Sequence, residues 1–90
     1  MTKITKEMVN KLNDELNNLG VGFIYELYDE DTIFPYIKIT VKDKPKWINV
    51  CDVYCTDEYF KWLENWFTTN YNITLVYNNT GMIIWSNNYV

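Results

Sequence analysis

Two groups of carboxylates and one pair of thiols are the side chains of this 90-residue chain that could carry chemistry. Glu26, Asp29, Glu30 and Asp31 crowd the end of one apolar run, and Asp52, Asp57 and Glu58 form a second group further on. Acid–base catalysis needs one carboxyl held at raised pKa beside a positioned nucleophile, which the pattern does not supply. A calcium loop needs the order D-x-[DN]-x-[DN]-G, which neither group has. Two readings stay open: solvated turn and helix-cap charge, or an acidic surface presented to a basic groove on a partner protein, where it would steer association. Cys51 and Cys55 are spaced C-x3-C, not the C-x-x-C of redox and zinc sites, and the chain has no His to complete a metal shell. They read as buried, reduced thiols.

The missing residue types narrow the chemistry further. There is no His, Arg, Gln or Ala, and one Ser, Ser86. Without His the side chain that titrates near neutrality is lost, and without Arg there is no bidentate clamp for phosphate or carboxylate. The expectation is therefore no enzymatic activity, no metal and no cofactor. Twelve Asp and Glu stand against 8 Lys, for a net charge of −4 and a pI near 4.6. Direct nucleic-acid binding rests on cations that neutralise phosphates, so it is not expected. No window approaches 18 apolar residues, and MTKITKEMVNKL has no apolar signal core, which points to the cytoplasm and away from export or the membrane.

The elements that must position these groups can be read from periodicity. Thr56–Tyr71, TDEYFKWLENWFTTNY, gives the strongest helix signal: Tyr59, Phe60, Leu63, Trp66 and Phe67 share one face at about 100° per residue, with Trp62 at its border. Thr56 is the natural N-cap, and Asp57 and Glu58 lie where the helix dipole favours negative charge. Residues 5–19 predict a first helix, with Met8, Val9, Leu12, Leu16 and Leu19 on one face and Lys6, Asn10, Lys11, Asn13, Asp14, Asn17 and Asn18 on the other. Thr5 caps it, Ile4 staples onto Val9, and Gly20 closes it.

Between the helices the period changes to two. Val21, Phe23, Tyr25 and Leu27 face one way; after the turn DEDT at 29–32, Ile37, Ile39 and Val41 do the same. KDKP at 42–45 turns the chain into a third strand, Trp47–Val53. Ile73–Tyr77 and Met82–Trp85 form a final hairpin around NNTG, with Gly81 at the position needing positive φ. The order α-β-β-β-α-β-β over 1–90 predicts a single α+β domain, an antiparallel sheet with two helices packed on one face. The other face would carry Tyr28, Tyr36, Lys38, Thr40, Lys42 and Trp47. It is either a contact surface or is covered by the final hairpin.

Over residues 5–70 the α-β-β-β-α order resembles double-stranded-RNA-binding domains. That family opens its second helix with phosphate-gripping lysines, where this chain has Thr56, Asp57 and Glu58, so the likeness is one of topology. In size, acidity and lack of catalytic residues, and in an Asn-, Ile-, Lys- and Tyr-rich composition typical of AT-rich coding DNA, the chain resembles the inhibitors that phages encode against host defence. Anti-CRISPR proteins and DNA mimics are among them. The resemblance implies a non-catalytic inhibitor in the host cytoplasm, monomer or homodimer, that blocks a host protein with a basic nucleic-acid-binding surface. Tyr28, Asp29, Glu30, Asp31, Tyr36, Trp47, Asp57 and Glu58 are the candidate partner-binding residues. The alternative is a cytosolic immunity-type or structural module that binds its partner through the aromatic sheet face.

Overall fold

The structure, a computed structural model, describes residues 3–41 and 56–87. Its elements in chain order are α1 (Lys6–Leu19), β1 (Phe23–Tyr28), β2 (Tyr36–Val41), α2 (Asp57–Tyr71), β3 (Leu75–Tyr77) and β4 (Ile83–Ser86). The expected third strand at 47–53, with Trp47, Asp52, Cys51 and the neighbouring Cys55, lies outside the described residues. Among those described the order is α-β-β-α-β-β, an α+β fold.

Local chemistry sets the helix ends. The Met8 N–H donates to the Thr5 hydroxyl at 3.3 Å, and the Tyr59 N–H to the Thr56 hydroxyl at 3.1 Å, so each helix has a side-chain cap for a donor with no intrahelical partner. Gly20 ends α1 in the left-handed region at φ 71°, and Asn72 ends α2 in the same region at φ 55°. Gly22, at φ 77°, delays the strand, so β1 begins at Phe23; Val21, expected on the core face, is 42% exposed.

The four strands form one antiparallel sheet in the order β1-β2-β4-β3. The final hairpin therefore joins the sheet edge to edge, with β4 against β2, and extends the sheet rather than lying over its far face. Phe23, Tyr25, Ile37, Ile39, Leu75 and Ile84 line the other face and form one core with Val9, Leu12 and Leu16 of α1 and Leu63 and Phe67 of α2. Both helices pack on that face: Phe23 meets Tyr59 edge to face at 4.9 Å, and Tyr77 meets Phe60 at 5.4 Å. Of the aromatic stripe expected to centre the core, Leu63 and Phe67 are fully buried, while Tyr59, Phe60, Trp62 and Trp66 are partly buried around them. Leu19, on the expected stripe of α1, is 56% exposed, because the buried positions of that helix stop at Leu16.

Asn13 departs from its expected place on a plain solvated face. Its side-chain amide accepts from the Tyr25 N–H at 2.8 Å and donates to the Tyr25 carbonyl at 2.9 Å. This pair of bonds imitates a neighbouring strand along the side of β1 that β2 does not pair. The Tyr25 hydroxyl, within 2.7 Å of that of Tyr59, ties the same strand to α2.

Candidate protein-binding surface

Strand alternation sends every second side chain of β1, β2, β3 and β4 away from the helices. Register then decides which of them meet. Tyr28 stands opposite Tyr36, Tyr36 opposite Trp85, and Trp85 opposite Val76, so one row of large side chains crosses all four strands. The Tyr28 and Tyr36 rings stack at 5.3 Å with 11° between planes, and Tyr36 lies 6.0 Å from Trp85. Behind this row stand Glu26, Lys38 and Ile83, then Ile24 and Thr40. Tyr28, Ile24 and Val76 are each 37% to 40% exposed, while Tyr36 and Trp85 are half-buried against their neighbours in the row.

The acidic loop begins where the row ends. Asp29, directly after Tyr28, takes a left-handed φ of 55°, and its carbonyl accepts from both the Thr32 N–H at 3.0 Å and the Thr32 hydroxyl at 2.7 Å. Asp is among the residues that tolerate this conformation, so the turn closes without glycine. The loop Asp29–Pro35 returns through a buried Pro35, with Ile33 65% and Phe34 51% exposed. Glu26, Asp29, Glu30 and Asp31 set four carboxylates at this end of the sheet, against the ammonium groups of Lys38 and of Lys3, which donates to the Thr32 carbonyl at 3.3 Å. The Tyr28 hydroxyl donates to Glu26 Oε2 at 2.7 Å; that charge-assisted bond, with burial and the negative charge beside it, holds the phenol above its usual value near 10.

Of the residues singled out in the sequence, Tyr28, Asp29, Glu30, Asp31 and Tyr36 are thus brought together. Asp57 and Glu58 are not. They occupy the first turn of α2, whose Tyr59 packs on Phe23 at the start of β1, whereas Asp29 follows the end of β1. Five strand steps separate those ends, about 17 Å at roughly 3.3 Å per residue, and α2 lies on the opposite face of the sheet. Trp47 lies outside the described residues. Trp85, Val76, Ile33 and Phe34 were not anticipated. Alternation along β4 would have put Trp85 on this face had its neighbour been known, but the pairing of β4 with β2 is a contact between strands distant in sequence.

No group of three or more metal-ligating side chains occurs among the described residues, and no helix there is long and apolar enough to cross a membrane. The chain matches no protein-family model, no curated protein and no solved structure.

Proposed function

We propose that this chain is a non-catalytic protein-binding domain that docks through the Tyr28–Tyr36–Trp85 face. Its partner is a host protein with a basic nucleic-acid-binding surface, which it occupies stoichiometrically in the host cytoplasm. The observation that carries this reading is the aromatic row running across the strands and ending at four carboxylates. Single exposed rings are ordinary on strands, but a continuous patch beside a charged rim combines slow dissociation with steered encounter. The acidic and aromatic surfaces, alternatives in the sequence, here adjoin and act as one interface.

The test is capture on the immobilised chain from a bacterial lysate, in parallel with the Tyr36→Ser/Trp85→Ser variant, then competition of the captured protein with its nucleic acid. The reading expects a stoichiometric protein partner that the double variant no longer holds and that nucleic acid displaces. A partner held equally by both proteins would overturn the choice of face. One indifferent to nucleic acid would overturn the inhibitory role.

A further inference from the structure

Between α1 and α2, on the side of the sheet away from the aromatic row, runs a groove of about 500 Å³ lined by Lys11, Asp14, Glu15, Trp66, Asn70 and Tyr71. Its α2 wall is aromatic. The Trp66 and Tyr71 rings stand 5.5 Å apart with 64° between planes, so they make a corner rather than a stack, and both are only partly buried against the core. Buried Phe67 backs the Trp66 ring, 5.0 Å away at 85°. The backbone beneath the rings is held: Asn70 Nδ2 donates to the Trp66 carbonyl at 2.8 Å, and the Asn72 N–H closes the helix onto the Phe67 and Thr68 carbonyls. Rings carried on such a backbone lose little freedom on binding. The charges around them are of one kind. Asp14 and Glu15 are exposed on the α1 wall, and among the described residues neither carboxylate has an ion-pair partner, while Lys11 is taken by Glu7 at 3.5 Å. α2 ends at Tyr71 with no basic residue in its last turn, so its dipole adds negative potential at the same place.

We infer that this groove binds a small quaternary ammonium molecule of the choline type, with its methyl groups against the Trp66 and Tyr71 rings and its charge answered by Asp14 and Glu15. The chemistry of the lining selects this occupant. A metal ion needs more ligating oxygens than two carboxylates supply. A primary ammonium is more strongly hydrated and loses more on reaching a ring face, and a flat guanidinium stacks on one ring without filling the corner. A choline lipid brings a phosphate that the two carboxylates repel. Because the groove and the Tyr28–Tyr36–Trp85 row lie on opposite sides of the sheet, this site stands independently of the protein-binding reading.

Choline and 3,3-dimethyl-1-butanol, its neutral isostere, differ in charge alone. Each is titrated into the full ¹⁵N-labelled chain and followed by NMR, with butylammonium and guanidinium in parallel. The expected result is saturable shifts centred on the Trp66 indole N–H and the amides of Tyr71, Asp14 and Glu15, with choline binding at least about fivefold tighter than the alcohol, a preference that salt reduces. Tyr71→Leu should abolish the shifts, and Trp66→Phe, which keeps a ring, should weaken binding without abolishing it. Asp14→Asn/Glu15→Gln changes two exposed side chains and leaves the core untouched; it should bring choline down to the affinity of the alcohol. Equal affinity for choline and the alcohol, tighter binding of butylammonium or guanidinium, shifts centred on Tyr36 and Trp85, or no saturable shift at all would each overturn the site. A trimethyllysine peptide or phosphatidylcholine vesicles held more tightly than choline would overturn the choice of a small molecule as its occupant.

Discussion

Asn13 and Tyr28 show how much a single side chain does here that its position in the sequence does not announce. Asn13 lies on the polar side of α1 by periodicity, and its real partner, the Tyr25 backbone on β1, is twelve residues away. A helical wheel records only which way a residue points, and it cannot record an edge strand waiting there. Asn13→Ala removes both part-buried hydrogen bonds to the Tyr25 backbone, so the melting of the variant should show a loss of about 1–3 kcal/mol. Tyr28 adds a pH dependence through Glu26. Because its folded pKa is raised, its contribution to stability is present below the unfolded value near 10 and is lost as the pH climbs through the folded value. A ¹³Cζ NMR titration should show Tyr28 ionising at lower pH in Glu26→Gln than in the parent, because the carboxylate that opposes a second negative charge is gone.

At the scale of elements, the parts governed by nearest neighbours in sequence were readable and the parts governed by pairing were not. Thr5, Gly20 and Thr56 mark helix ends by acting within three or four residues, and each occupies its expected cap. Gly81 takes its positive φ of 75° in the NNTG turn for the same reason. Alternation likewise put Ile37 and Ile39 in the core and Tyr36 and Lys38 on the far face. No local rule states that β4 enters between β2 and β3. Trp85, and with it the length of the aromatic row, was therefore invisible until the register was known. Leu63 is fully buried between α2 and the sheet, so Leu63→Ala should lower stability by about 2–5 kcal/mol in thermal or denaturant unfolding. Glu58→Gln, at the exposed first turn of α2, should change it by well under about 1 kcal/mol.

For the whole molecule, the distribution of groups matters more than their totals. A net charge of −4 is modest, but four of the acidic groups gather at the Tyr28 end of the sheet. Asp57 and Glu58 belong to the other end and other face, where they complement the dipole of α2. An interface built on the Tyr28 end should have an association rate that falls steeply with ionic strength and a dissociation rate that hardly changes, since rim charges steer encounter while packed rings resist separation. Stopped-flow or surface-binding kinetics at several salt concentrations would read both rates. Hydroxyl-radical footprinting of the chain, free and bound to its captured partner, tests the central claim most directly because it reports on individual aromatic side chains. Tyr28, Tyr36 and Trp85 should lose reactivity in the complex while Trp62, Trp66 and Tyr71, on the helix side, keep theirs. Protection of Trp62, Trp66 or Tyr71 with Tyr28, Tyr36 and Trp85 unchanged would contradict the claim and place the interface on the helices.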